Sequence, residues 1–215
     1  MISATIILAL FFLIWSIAVR KIAAFLVKDC SEKSIKQPAI TFIDIIATIW
    51  WLFAAYQVTE FLPAYFMLLS ALWVTIHTDF SHMLISRFVS LYLIPVGFLL
   101  SAIYVLPITL LECFFASFLG YGFFWTANQI FYWFKKHDGL GQGDLELIAM
   151  IGSFTGLIGC WFTIFFASTI GTCFGCLYLI IVRKKINILP FGPFLAMGAM
   201  IYVLFQKTII SFLIC

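Results

Sequence analysis

The sequence predicts an all-α membrane protein with about eight transmembrane helices, and its composition, its apolar segments and its charge distribution support this prediction. Apolar residues make up 65% of the 215 residues and charged residues only 10%, a balance that soluble globular proteins do not have. The apolar segments reach the roughly 20 residues that a membrane-spanning helix needs. All of the 12 Lys and Arg residues except Lys207 fall on one predicted side of the membrane. A soluble enzyme, a disordered tail and a secreted disulfide scaffold are excluded.

The first half of the chain alternates apolar spans with polar connections. The first span is followed, and not preceded, by basic residues, which is the reverse of a secretory signal peptide. Residues 20–38 are rich in lysine and predict a short cytoplasmic loop. Pro38 begins the next span, and a short outer turn lies around Pro63. The predicted spans of this half are residues 1–19, 39–59, 62–76 and 88–105.

The second half of the chain continues the same pattern. Pro107 separates two spans because proline breaks a helix. Residues 145–182 are too long for one crossing and contain Gly156 and Gly159, so they predict two helices. The remaining spans of this half are residues 108–134 and 190–215. We find no internal repeat and expect a single membrane-embedded domain over residues 1–215.

Asp79 and Asp144 are the strongest catalytic candidates among the nine acidic residues. Each lies at the cytoplasmic end of a predicted helix, and an acidic side chain at membrane depth is costly enough to suggest a function. Two carboxylates that share a site hold one proton between them, so one can act as a base and the other as an acid. Asp44 and Glu112 lie within spans near predicted membrane ends, where we expect structural roles.

A glycine-rich loop precedes Asp144 and is expected to support it. Its glycines, which permit close approach of the backbone, are Gly139, Gly141 and Gly143. Asp144 would begin a helix, whose dipole favours a carboxylate at that end. An ordinary turn in which Asp144 only caps a helix fits the spacing equally well. Gly152 and Gly156 predict a close contact between this helix and the helix of Asp79.

Histidine and cysteine side chains suggest other chemistries, which the patterns do not favour. His77, His82 and His137 fall on the same predicted face as the aspartates, but a His-Glu-x-x-His helix and paired Cys-x-x-Cys motifs are missing from the sequence. We therefore expect a histidine such as His82 to support a carboxylate, and we expect no metal. Cys173 and Cys176 have a redox spacing but lie mid-span among small residues, which helix packing explains better.

Three segments of the chain resemble the type IV prepilin peptidases, which are polytopic aspartic proteases with a Gly-x-Gly-Asp motif. Residues 141–147 look like the second aspartate motif of that family, residues 79–85 look like the first, and residues 189–196 look like its C-terminal signature. The resemblance implies that Asp79 and Asp144 are the catalytic pair and face the cytoplasm. It also implies that the enzyme removes a short basic leader from prepilins or from pilin-like secretion and competence proteins, without a cofactor.

The chain departs from the family's usual pattern in three places. Glu146 replaces a usual lysine, and Arg87 follows a serine where Pro-Asp or Pro-Asn is common. Glu146 lies about 200° around the helix from Asp144, so we expect no contact between them. The first loop has only Cys30, which cannot build the zinc site of many relatives. Methylation of the new pilin N-terminus by S-adenosylmethionine stays open. The short chain resembles the compact enzymes of Gram-positive competence systems.

The alternative function is a transporter that couples to protons or cations through the same aspartates. Both acids are predicted at one membrane face, whereas transporter sites tend toward the midplane. We expect a multi-pass protein of the cytoplasmic membrane that contacts the lipid bilayer and a pilin-like substrate. Nucleic acid is not an expected partner, because the basic residues belong to the loops. The sequence leaves the oligomeric state open.

Overall fold

The computed structural model describes residues 2–28, 49, 62–82, 85–137, 139–182 and 190–214. These residues form helices and short connections without strands, which confirms the predicted all-α class. The helices are α1 (Ile2–Lys28), α2 (Leu62–His82), α3 (Arg87–Ala102), α4 (Leu110–Lys135), α5 (Gln142–Val182) and α6 (Gly192–Ile214). Among them, α4, α5 and α6 are long and apolar enough to cross a membrane, and α3 contains a shorter apolar helix.

Two helices meet at Gly156 within α5, as the sequence predicts. Gly156 has φ +72° and ψ −173°, a backbone conformation that residues with a side chain rarely adopt. A Cβ placed on Gly120 of α4 would lie 2.8 Å from Cys160 Sγ and 3.5 Å from Ile148 Cγ1. A continuous helix would separate Ile148 and Cys160 by about 18 Å. The chain therefore folds back at Gly156, and both parts of α5 contact α4.

The first part of α5 is the centre of the bundle, because every residue from Asp144 to Gly156 is buried. Small residues let the neighbouring helices approach it closely. A Cβ on Gly97 of α3 would lie 2.5 Å from Ser153 Oγ, and a Cβ on Gly152 would lie 2.9 Å from the Ala116 backbone of α4. Gly152 and Gly156 therefore pack on α4, and the predicted contact of this pair with α2 is wrong. Small residues occur on several helices, and their spacing does not identify the partner.

Helices α1 and α6 pack against α2, and the second part of α5 packs against α6. The Tyr65 hydroxyl of α2 donates a 2.9 Å hydrogen bond to Gln206 Oε1 of α6. The Trp15 indole of α1 donates a 3.1 Å hydrogen bond to Ser70 Oγ of α2. The second part of α5 packs on α6, where a Cβ on Gly159 would lie 2.6 Å from a tyrosine ring. Gly159 has helical neighbours on both sides, so the predicted interruption at this residue is wrong.

The first helix is longer than the sequence predicts. The predicted loop over residues 20–38 is wrong for its first part, because α1 continues to Lys28. Arg20 is buried within the bundle, and neither Pro nor Gly occurs before Pro38 to stop the helix. Residues 29–38 and the predicted span 39–59, which contains Asp44, lie outside the described residues apart from Ile49. The total of eight helices and the single domain stay predictions.

Apolar side chains cover the outer surface of the bundle, as expected of a protein surrounded by lipid. On α4, for example, Phe134 is 81% exposed. Cys173 and Cys176 belong to this surface, because both thiols are free and exposed. The helix packing predicted around them is formed by neighbouring residues such as Gly171, which lies against an aromatic ring of α6. A Cβ on Gly175 would meet nothing within 4 Å among the described residues.

Candidate active site

The two sequence-predicted aspartates lie at helix ends that meet. Asp79 is in the last turn of α2 and Asp144 is in the first turn of α5. Both are buried inside the bundle, with exposed fractions of 5% and 7%. The charge of Asp79 acts on the Asp144 carboxylate. The structure therefore brings the predicted pair together in a site of low solvent exposure, where carboxylates interact more strongly than they do in water.

Ile85 joins the segments around the two aspartates. A Cβ placed on Gly192, at the start of α6, would lie 2.6 Å from Asp79 Oδ2 and 2.9 Å from Ile85 Cδ1. A Cβ placed on Gly143, next to Asp144, would lie 2.7 Å from Ile85 Cβ. Ile85 therefore contacts both glycines, one beside each aspartate. Glycine is required at both positions because a larger residue would push these segments apart.

Asp144 uses one carboxylate oxygen as a helix cap and leaves the other oxygen available. Asp144 Oδ2 accepts a 3.2 Å hydrogen bond from the Gly141 N–H, and the Asp144 N–H donates to the Gly141 carbonyl at 3.1 Å. This reciprocal pair caps the start of α5. Asp144 Oδ1 is buried and has no hydrogen-bond partner among the described residues. The capping and catalytic interpretations are thus compatible, because they involve different oxygens.

Asp79 lies beyond the apolar part of α2 and has a raised proton affinity. Burial raises its pKa from the ordinary 3.8 to about 6, although a hydrogen bond from the backbone N–H of Gly192 lowers it in part. A carboxyl group with this pKa can keep or release a proton near neutral pH, as acid–base chemistry requires. Gly192 therefore contributes both the space and a hydrogen bond to the Asp79 carboxylate.

The loop before Asp144 is tied to α4. Asn128 Oδ1 accepts hydrogen bonds from the Gly139 N–H at 2.8 Å and from the Leu140 N–H at 3.0 Å. A Cβ on Gly139 would lie 2.7 Å from the Phe131 ring, so this glycine also permits a close approach. A Cβ on Gly141 would lie at an ordinary contact distance of 3.4 Å from the Asp144 carboxylate. The predicted supporting glycines therefore differ in their tolerance of a side chain.

The histidines have different surroundings at this end of the bundle. The His77 ring packs edge-on against Trp73 at 5.3 Å, and the His137 ring packs against Phe131 at 5.4 Å. The His82 side chain lies outside the described part of the structure, so its supporting role stays a prediction. Within the described ranges, no group of three or more His, Cys, Asp or Glu could hold a metal ion. The first loop with Cys30 lies outside those ranges, and the expected lack of metal and cofactor stays a prediction.

The two charged residues that depart from the family pattern contact each other. Arg87 Nε and Nη2 lie 2.9 Å and 2.8 Å from Glu146 Oε1. This pairing agrees with the expectation that Glu146 points away from Asp144. Sequence reasoning missed this pair, together with Ile85 and Asn128. The opposite charges of the two departures were the one available signal, because spacing alone does not indicate a contact between distant segments.

The fold and the site define a class of protein, the polytopic helical membrane proteins with a buried carboxylate pair. The model of the type IV leader peptidase family matches residues 66–176, which is just over half of the chain and includes both aspartates. The chain therefore belongs to the type IV leader peptidase family. This membership confirms the resemblance that the motifs around Asp79 and Asp144 indicate.

Curated relatives share the same description. The chain is 32% identical to the prepilin leader peptidase/N-methyltransferase of Bacillus subtilis (strain 168), over 72% of this chain and 60% of that protein. The proteins of the same name from Legionella pneumophila and Escherichia coli (strain K12) are 28% and 30% identical, over 86% and 57% of this chain. The chain spans 64% and 54% of their lengths. No solved structure matches the chain significantly.

Proposed function

We propose that this chain is a membrane aspartic endopeptidase that removes the short basic leader of prepilins or pilin-like proteins. The observation that carries the proposal is the burial of Asp79 and Asp144 at helix ends that meet around Ile85, with Asp144 Oδ1 lacking a hydrogen-bond partner among the described residues. Membership of the type IV leader peptidase family supports the same reaction and substrate class. A buried acceptor oxygen without a partner is costly, and a bound water would satisfy it.

The proposed mechanism uses the proton that the pair shares. Backbone N–H groups of Gly141 and Gly192 hold the two carboxylates, so the carboxylates need little reorganisation during the reaction. The ionised aspartate takes a proton from a water molecule, which attacks the scissile carbonyl carbon. The protonated aspartate donates its proton to the carbonyl oxygen, which gives a tetrahedral diol. As the C–N bond breaks, the aspartate that took the water proton donates it to the leaving amine, and the other aspartate takes a proton back from a hydroxyl of the diol. Neither aspartate forms a covalent bond to the substrate, and the step uses no cofactor.

The proposal includes the orientation of the protein in the cytoplasmic membrane. The ends of the helices that carry the aspartates would face the cytoplasm, and eight helices would cross the membrane. Support comes from the basic residues near this end, since Arg87 begins α3, Lys135 ends α4, and Lys136 caps α4 just before the loop of Asp144. Cytoplasmic loops carry an excess of such residues. The basic leader of a substrate would then reach the site from the side on which it is made.

Methyl transfer to the new N-terminus is a second candidate function. The relatives from Bacillus subtilis and Legionella pneumophila are both named for a peptidase and an N-methyltransferase activity. Incubation of the cleaved product with radiolabelled S-adenosylmethionine tests this function directly. Incorporation of label that requires the purified protein would support it, and cleavage without incorporation would limit the protein to proteolysis.

The peptidase proposal predicts the loss of cleavage in Asp79→Asn and Asp144→Asn. Each change removes an acid–base group, so we expect the cleavage rate of a purified prepilin to fall by about 100-fold or more. Glu112→Gln is the matched control, because it removes a carboxylate in the first turn of α4 and should leave cleavage intact. Gel mobility of the precursor measures the rate, and elution as a single species in detergent checks the fold.

Cleavage by either Asn variant at the rate of the unmodified protein would contradict the assignment of the pair. A transporter that uses the same aspartates gives a different result, because the unmodified protein would then leave every prepilin uncut. Reconstituted vesicles loaded with a pH-sensitive dye would in that case show proton movement that depends on Asp79 and Asp144.

A further inference from the structure

Arg87 and Glu146 form an ion pair between the start of α3 and the first turns of α5. The side chain of Glu146 is 5% exposed, whereas that of Arg87 is 61% exposed. Nε and Nη2 of Arg87 both reach the same oxygen, Glu146 Oε1. The second oxygen, Oε2, is buried and has no hydrogen-bond partner among the described residues. Arg87 is thus the cation that compensates a buried carboxylate two positions after Asp144.

The position of this pair relates it to the aspartates. Ile85, which contacts Gly143 and Gly192, lies two residues before Arg87, the first residue of α3. Apolar packing by Ile85 and the ion pair of Arg87 therefore hold one short segment against the helix of Asp144. The end of α2, with Asp79, leads into this segment. Displacement of the segment would change how the two aspartates face each other.

We propose that Arg87 and Glu146 are positioning residues for the aspartate pair. Because their opposite charges neutralise each other, no uncompensated buried charge lies near the aspartates. The inference rests on the proposed peptidase function. Neither residue touches the reacting atoms in this proposal. Arg87 and Glu146 act through the segment of Ile85 and through their electric field on the aspartates. A carboxylate near the two aspartates favours the protonated form of the aspartates, and a nearby cation favours their ionised form.

The direction in which the pH–rate profile shifts depends on which charge of the ion pair remains after the mutation. Arg87→Gln leaves Glu146 buried and unpaired, so the midpoint of the pH–rate profile should rise by about 0.5 to 1 pH unit. Glu146→Gln leaves Arg87 unpaired, so the midpoint should fall by a similar amount. Among the described residues, Tyr121 of α4 is a further titratable group that acts on Arg87, and it stays unchanged in both variants.

The test compares four variants of the full chain in detergent with a purified prepilin as substrate. These are Arg87→Gln, Glu146→Gln, the charge swap Arg87→Glu with Glu146→Lys, and the control Lys135→Gln. Each single change in the pair should lower the cleavage rate by about tenfold, because the geometry of the site loosens. The charge swap should recover most of the rate and the original pH midpoint. Lys135→Gln removes an exposed cation at the same end and should change neither quantity.

Midpoints that move in the same direction, or that do not move, would overturn the proposal, as would a charge swap that is no better than the weaker single variant. The unfolding temperature as a function of pH senses the protonation of Asp79 without any substrate. If the unmodified protein cuts no prepilin, the proposed function fails. The pH dependence of the unfolding temperature then tests by itself whether Arg87 and Glu146 act on the aspartates. If Arg87→Gln and Glu146→Gln move the pH dependence of the unfolding temperature in opposite directions, the proposed role of Arg87 and Glu146 is supported. Equal displacements refute it.

Discussion

Gly192 and Gly141 each donate a backbone N–H to one aspartate, but only Gly141 has room for a side chain. A Cβ on Gly192 would lie 2.6 Å from Asp79 Oδ2, whereas a Cβ on Gly141 would lie 3.4 Å from Asp144 Oδ2. The first distance is far below a normal carbon–oxygen contact, and the second is an ordinary one. Two glycines with the same kind of hydrogen bond therefore differ in what a mutation would do.

We predict that Gly192→Ala lowers prepilin cleavage by about 100-fold, because displacement of a catalytic group by about 1 Å has this cost. Gly141→Ala keeps the N–H donor and the contact distance, so its rate should stay within about threefold of the unmodified protein. Initial rates of leader removal at saturating substrate measure both. Equal losses in the two variants would show that crowding at Asp79 is not the cause.

The raised pKa of Asp79 predicts how stability depends on pH. The folded state binds the proton of Asp79 up to about pH 6, and the unfolded state binds it up to about pH 3.8. Stability from this group is therefore complete below pH 3.8 and is lost as the pH rises to about 6, by about 3 kcal/mol in total. Asp79→Asn lacks this loss. Between pH 4 and 7 in detergent, the unfolding temperature of the variant should rise relative to that of the unmodified protein as the pH increases. Parallel curves would contradict the prediction.

The fold-back of α5 at Gly156 is the main feature at the scale of a helix. It returns the chain along α4 and lets the second part of α5 lead to the start of α6, where Gly192 meets Asp79. A Cβ on Gly156 would lie 2.8 Å from Glu112 Oε1, and its φ of +72° is unfavourable for any other residue. The position of the site thus depends on Gly156, which ends the first part of α5, whereas Asp144 lies at its start.

We predict that Gly156→Ala destabilises the protein by about 1 to 3 kcal/mol, through backbone strain and the contact with Glu112. Gly122→Ala on α4 is the matched control, because its Cβ would meet nothing within 4 Å among the described residues. That change also replaces glycine by a better helix former, so it should be neutral or slightly stabilising. Thermal unfolding in detergent compares the two, and similar unfolding temperatures would argue against strain at the fold-back.

The described part of the molecule is a helical bundle whose candidate catalytic groups lie at one end. α4 extends for about 39 Å, which exceeds the roughly 30 Å of a hydrocarbon core. Its two ends therefore lie on opposite sides of the membrane if it crosses fully. The connection with Pro107 precedes α4, and His137 follows it next to the loop of Asp144.

We predict that the end with His137 faces the cytoplasm. Single cysteines at His137 and at Pro107, in a background without the six native cysteines, allow a direct test with a membrane-impermeant thiol reagent. His137→Cys should react in inside-out vesicles and be protected in intact cells, and Pro107→Cys should show the opposite pattern. The reverse result would invert the proposed orientation without affecting the aspartate pair.

The sequence alone determined the helical class, the approximate limits of most described helices, and the pair of aspartates at one end of the bundle. These features follow from local properties, namely the length of apolar segments, the positions of basic residues, and motifs around Asp79 and Asp144. The two helices of α5 could be predicted for the same reason, because 38 apolar residues exceed one crossing. The first loop was placed too early, because basic residues mark a membrane boundary and do not end a helix.

Only the tertiary structure decided which distant residues support the aspartates. Gly192 beside Asp79, Ile85 between two glycines, and the pairing of Arg87 with Glu146 all join segments that are far apart in the chain. The pattern of small residues could not show that Gly152 packs on α4, because close packing needs small residues on any partner. Spacing along one chain specifies the face of a helix, whereas contacts between helices depend on how all of them pack together.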